Sequence, residues 1–169
     1  AEIRFDGMQY RRDIGFRALV VNAGNANAGT GGPGLAASRA TCAAAARMLG
    51  CDPQQVLPFS TGVIMEPLPV ERIVDGLPKA RAALRSDGWF NAARAIMTTD
   101  TVPKESATQI RLGGRDVAIG GMAKGSGMIE PMMATMLGFV TTDAAVPKAL
   151  LDRALREAVD LTFNAITVD

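Results

Sequence analysis

Gly121-Met122-Ala123-Lys124-Gly125-Ser126-Gly127-Met128-Ile129-Glu130-Pro131-Met132-Met133-Ala134-Thr135-Met136-Leu137-Gly138 joins a glycine- and serine-rich segment carrying one lysine to a small residue, Ala134. A threonine follows and opens an apolar, strand-like stretch. In mid-chain a threonine hydroxyl is a poor nucleophile. Cutting the Ala134–Thr135 bond would give Thr135 a free α-amine beside its own hydroxyl. Such an amine titrates just above neutral pH, so part of it is neutral and can serve as the base. The same residues also read as a glycine-rich turn entering a buried strand, with Thr135 chosen for its β-branched shape. The segment alone leaves both readings open.

Outside this run, composition narrows the chemistry. The chain has 169 residues and no histidine. Ser-His-Asp, Cys-His and His-ligated zinc chemistry therefore cannot be built from it. A nucleophile here needs an amine, a carboxylate or a partner chain to activate it. Cys42 and Cys51 stand nine apart, outside any CxxC spacing, which points to reduced thiols in a cytosol-like compartment. Cys42 lies in an alanine-rich helical stretch and reads as a small core residue. Lys and Arg number 18 against 17 Asp and Glu, which leaves no basic field for nucleic acid. Aromatics make up 5% of the residues, too few for base-stacking platforms. No apolar run is long enough to span a bilayer, and no signal peptide is visible in the sequence, which starts at Ala1 and not at Met. The length suits one domain.

Periodicity suggests strands alternating with helices. Phe16 to Asn22 is a short β-rich run that ends in the Asn- and Gly-dense loop Ala23 to Gly34. Leu35 to Leu49 reads as a helix, opened by Pro33-Gly34 and stopped by Gly50. Gln55 to Phe59 reads as a strand, with Ser60-Thr61-Gly62 as a turn after it. Pro69 suits a helix start, and Pro78 is expected to end or kink that helix. Asp87 is expected to cap a helix through Trp89 to Met97. Residues 106–112 and 117–123 read as strands joined by Gly113-Gly114-Arg115-Asp116, a hairpin signal. From Pro147 the pattern is helical, with Leu151, Leu155, Ala158 and Val159 on one face. Ala165 to Asp169 looks like a strand that begins and is cut off, which suggests an incomplete chain.

Several motifs have to be judged together. Asn22 to Gly31 superficially suggests a phosphate cradle, but it lacks the GK[ST] of a P-loop and misses GxGxxG spacing. Ser60-Thr61-Gly62-Val63-Ile64 is either an ordinary turn or a hydroxyl and backbone N–H aimed at a developing oxyanion. Ile96 to Lys104 clusters hydroxyls at a helix end, which usually means capping.

VVNAGNANAGTG (Val20 to Gly31), STGVI (Ser60 to Ile64), IMTTDTVPK (Ile96 to Lys104), GGMAKGSGMI (Gly120 to Ile129), MATML (Met133 to Leu137) and TTDA (Thr141 to Ala144) occur in this order. Together they resemble the bifunctional ornithine acetyltransferase/N-acetylglutamate synthase family of arginine biosynthesis, over almost the whole chain. The resemblance implies an α/β fold with mixed sheets packed against helices, of the β-aminopeptidase-like kind, in one domain over residues 1–169. It implies self-cleavage between Ala134 and Thr135, with segments 1–134 and 135–169 staying associated. Thr135 would be the nucleophile, Thr61 and Gly62 the oxyanion hole, and Thr101, Lys124 and Thr135 the substrate contacts. The implied reaction is ping-pong acetyl transfer from N-acetylornithine to glutamate, with no cofactor and no metal. The implied partners are those small-molecule substrates and the rest of the precursor, in a hetero-tetramer of two cleaved pairs, in the cytoplasm or a mitochondrial matrix. Nucleic acid and membrane are not among them. The sequence departs from the family's pattern at Met65, where glycine is often expected, and at Met132, where asparagine is common. Further substrate-binding residues fall after Asp169. The rival readings are a non-catalytic, uncleaved fragment acting as a folding or interaction module, and a related N-terminal-nucleophile amidohydrolase.

Overall fold

The computed structural model describes residues 3–5, 8–10, 15–130 and 136–168. The chain packs as two compact units, Ala1–Gly88 and Trp89–Asp169. It is a mixed α/β protein, as the motifs implied.

The first unit opens with an antiparallel pair, β1 (Ile3–Phe5) and β2 (Met8–Tyr10). Its centre is a strand–helix–strand element made of β3 (Ala18–Asn25), α1 (Gly31–Leu49) and β4 (Val56–Val63). The strands run parallel, in register from Ala18 opposite Val56 to Gly24 opposite Gly62. Parallel neighbours need a long crossover, and α1 supplies it. Cys42, Ala44, Ala45 and Ala46 of α1 form the core with Val56 of β4 and Leu77 of α2 (Val70–Ala82). Cys42 is the small core residue that its surroundings implied, with its thiol 3.5 Å from the Val56 carbonyl.

One expectation fails here, and another fails in part, for identifiable reasons. Ser60-Thr61-Gly62 is strand, not turn, because β4 continues to Val63 alongside β3. Pro78 lies inside α2 and does not end it. It forfeits the bond to the carbonyl four residues back, but Val74 and Leu77 pack against the α1 core and hold the turn. The helix stops one turn later.

In the second unit, α3 (Trp89–Ala95) precedes a three-stranded antiparallel sheet of order β5-β6-β7. The strands are β5 (Lys104–Leu112), β6 (Arg115–Lys124) and β7 (Leu137–Thr142). Asp87, expected to cap α3, stands two residues before its first turn and accepts two bonds from Arg85, at 2.7 and 2.9 Å. The hairpin expected between β5 and β6 is present and tighter than anticipated. Gly113 and Gly114 alone form the loop, with φ of +55° and +80°, the left-handed pair that a two-residue turn of this twist requires. α4 (Lys148–Leu161) follows β7, and its expected apolar face is largely open to solvent. The strand anticipated at the end is a single antiparallel bridge. Ile129 and Val168 exchange both backbone bonds at 2.8 and 2.9 Å.

Candidate functional site

Lys124 is the last residue of β6 and is buried, 6% exposed. A lysine this enclosed needs partners for its ammonium. Its Nζ donates to Thr98 Oγ1 at 2.8 Å. Thr98 lies in the irregular segment between α3 and β5, where Asp100 is buried with its side chain wholly enclosed. The Asp100 carboxylate accepts from Lys104 Nζ at 2.6 Å, from the Gly125 amide at 2.7 Å and from the Thr98 amide at 3.3 Å. Burial pushes the Asp100 carboxyl up, but the Lys104 bond and the two amides outweigh it and lower it to about 2. Asp100 is therefore a fixed anion at any physiological pH. Beside it, Ser126 Oγ donates to the Thr99 carbonyl at 3.0 Å and meets Thr99 Oγ1 at 3.1 Å. The segment after β6 is thus tied at Gly125 and Ser126 to the segment before β5.

Thr101, expected to contact substrate, is exposed just after Asp100. Ala134 and Thr135, the expected cleavage site and nucleophile, lie outside the described residues, as does Met132. Their chain neighbour Leu137 is described and pairs with Lys124 across β6 and β7.

In the first unit, Thr61 is buried (1% exposed) near the end of β4, opposite Ala23. Gly62 sits against Gly24 with φ +132°. A Cβ there would overlap the Gly24 carbonyl carbon and come within 2.6 Å of its oxygen and 2.7 Å of the Asn25 nitrogen. Only glycine fits this approach. The asparagines at the end of β3 and in the loop after it are held by side-chain hydrogen bonds. Asn22 Oδ1 accepts from Ser60 Oγ at 2.6 Å. Asn25 donates to the Glu66 and Pro67 carbonyls, both at 3.1 Å. Buried Asn27 donates to the Gly34 carbonyl and to Ser38 Oγ and accepts from Thr30 Oγ1. These amides brace a loop between β3 and α1 and do not form a phosphate cradle. Met65 takes φ +65°, a conformation glycine adopts at low cost, which matches its reading as an unusual residue there.

Sequence reasoning missed Asp100 and Thr98, treating their segment as a helix cap. One signal was available: Asp100 and Lys104 stand four apart, opposite in charge, amid hydroxyls. Their other partner, Gly125, is 25 residues away and has no local signature. Among the described residues no group of three or more Cys, Asp or Glu is arranged to hold a metal ion, and no helix is long and apolar enough to cross a membrane.

A family model described as the ArgJ family matches residues 2–169. The chain is 58% identical over 156 residues to the arginine biosynthesis bifunctional protein ArgJ of Neisseria meningitidis serogroup A, covering 92% of this chain and 37% of that protein. The chain thus spans little more than a third of the curated relative's length. Among solved structures it resembles the arginine biosynthesis bifunctional protein ArgJ of Bacillus halodurans, with 40% identity and a TM-score of 0.61 over 69% of this chain and 61% of that one. It also resembles an ornithine acetyltransferase from Mycobacterium tuberculosis complexed with ornithine, with 33% identity and a TM-score of 0.57 over 69% of this chain and 62% of that one.

Proposed function

Because the chain belongs to the ArgJ family, we propose that it forms part of an enzyme of arginine biosynthesis that moves an acetyl group from N2-acetylornithine to glutamate. Thr135 is the nucleophile, exposed by self-cleavage after Ala134. In that cleavage Thr135 Oγ attacks the Ala134 carbonyl carbon, the peptide C–N bond breaks to leave an ester, and water opens the ester. The new α-amine then takes the hydroxyl proton as Oγ attacks the acetyl carbon of N-acetylornithine. The amide C–N bond breaks, ornithine leaves with the proton, and the acetyl group stays on Thr135 as an ester. The glutamate α-amine attacks that ester and restores the hydroxyl. Thr61 and Gly62 donate to the tetrahedral oxyanion, where loss of one aligned donor typically costs about 3 kcal/mol. Lys124 and Thr101 contact substrate. Lys124, a compact charge with three donors, suits the α-carboxylate that both substrates share.

The observation that carries this reading is the pairing of Lys124 with Leu137. Thr135 precedes Leu137 by two residues, and two residues span at most about 7 Å. The proposed nucleophile is thus only two residues along the chain from the partner of the proposed carboxylate binder, which supports the two acting on one substrate. The same ladder supports association after cleavage, since β6 and β7 would lie on opposite sides of the cut and pair from Ile119 with Thr142 to Lys124 with Leu137. The rest of the precursor supplies the remaining substrate contacts, and two cleaved pairs form the assembly.

The test is a quench of the cleaved full-length enzyme with N-acetylornithine and no glutamate. An acetyl ester should appear on the peptide that begins at Thr135 and disappear when glutamate is added. An acetyl group on another residue would refute the assignment of Thr135. Steady release of acetate without transfer would favour the amidohydrolase reading.

A further inference from the structure

The Asp100 carboxylate is bonded to the backbone beside both ends of the Lys124 contact. Gly125, whose amide it holds at 2.7 Å, directly follows Lys124. Thr98, whose amide it holds at 3.3 Å, carries the hydroxyl that accepts from Lys124 Nζ. The bonds close a ring: Lys124 side chain to Thr98, Thr98 to Asp100, Asp100 to Gly125, and Gly125 back to Lys124 along the chain.

We propose that Asp100 is a positioning residue for Lys124, fixing where its ammonium stands before a substrate carboxylate arrives. The proposal rests on the reading of Lys124 as the carboxylate binder. The physical case is pre-organisation. A lysine side chain has four torsions, and a ligand that must order them binds more weakly than one that finds them already set. The ring sets them from both ends. Gly125 needs this hold, because its φ of +147° and its position against Ile129 and Met136 leave no side chain of its own to anchor the turn. Lys104 has a different part. It pairs with Asp100 at 2.6 Å while remaining 42% exposed, and so compensates the buried charge without entering the ring.

The test uses the cleaved full-length enzyme with Asp100→Asn, Lys124→Met and the double variant. Three quantities are read: KM for N-acetylornithine and for glutamate, kcat, and the rate at which Lys124 is reductively methylated, mapped by peptide mass. Asp100→Asn should raise both KM values about tenfold, change kcat by less than about threefold, and speed methylation of Lys124. In the Lys124→Met background the same change should add less than about twofold to either KM, because the two residues act as one unit. If Asp100→Asn does not mature, Asp100→Glu keeps the charge but displaces both oxygens by a methylene, and it is judged on the same readouts. Unchanged KM values in an Asp100 variant, with KM raised in Lys124→Met, would overturn the proposal and leave Lys124 in the site. An equal KM rise with and without Lys124 would also overturn it, since Asp100 would then act elsewhere. Unchanged KM in Lys124→Met would remove both.

Discussion

The two units bury different things. In Ala1–Gly88 the enclosed described groups are mainly apolar: Cys42, three consecutive alanines, Val56 and Leu77 close a core between α1, α2 and the parallel strands. In Trp89–Asp169 the only described hydrophobic residues that are buried are Ala93 and Ile96, and the charged Asp100 and Lys124 are buried as well. Meanwhile Leu151 and Leu155 of α4 are about half exposed and Leu161 is 82% exposed. The first unit is held by packing around an alanine-rich helix. The second is held by a strand ladder and a hydrogen-bonded charge cluster. The residues proposed for substrate carboxylate binding belong to the second kind of order, where position is set by directional bonds and not by volume.

The sharpest way to break that contrast is at the closest backbone approach of the first unit. Gly62→Ala forces a methyl group into the Gly24 carbonyl at a left-handed φ, so both overpacking and backbone strain apply. It should lower stability by about 3 kcal/mol or more in a urea melt. A loss below 1 kcal/mol, on the order of a surface change, would mean that β3 and β4 do not approach as described. Next comes a paired truncation. Leu77→Ala, in the core, should lose about 2–3 kcal/mol, whereas Leu155→Ala, on the open face of α4, should lose less than about 0.5 kcal/mol in the same 169-residue chain. Equal losses would erase the distinction between the units.

The charge cluster gives a pH-dependent test. Asp100 is lowered in the folded chain to about 2. Its contribution is therefore present above the ordinary carboxylate range and fades as pH falls through that range towards 2. Acid unfolding should show about 2 kcal/mol of stability lost between roughly pH 5 and pH 2 that is absent from Asp100→Asn. Parallel pH profiles for the two proteins would show that the cluster contributes nothing. The smallest effect belongs to Met65. Met65→Gly should stabilise by about 0.5–1 kcal/mol, because relief of a left-handed φ exceeds the extra freedom glycine gives the unfolded chain.

Local signals read well and distant ones did not. Gly113-Gly114 between alternating strands gave the hairpin, and the alanine run ending at Gly50 gave α1, because turn chemistry and helical period are written in neighbouring residues. Ser60-Thr61-Gly62 was misread as a turn because Gly62 answers to Gly24, its partner on another strand. Pro78 does not end α2 because the burial of Leu77 and Val74 against α1 outweighs one missing bond. For the site, the motifs singled out Lys124, Thr61 and Gly62. Asp100 was passed over because what defines it is an amide 25 residues away, brought close only by the sheet.

Everything proposed about chemistry turns on the Ala134–Thr135 bond, so its state is the most direct test. Intact mass and amino-terminal sequencing of the purified full-length protein should give two associated pieces, one beginning at Thr135, and a single uncut chain for Thr135→Ala. An uncut wild-type chain that still transfers acetyl groups, or a new amino terminus at any other residue, would contradict the account.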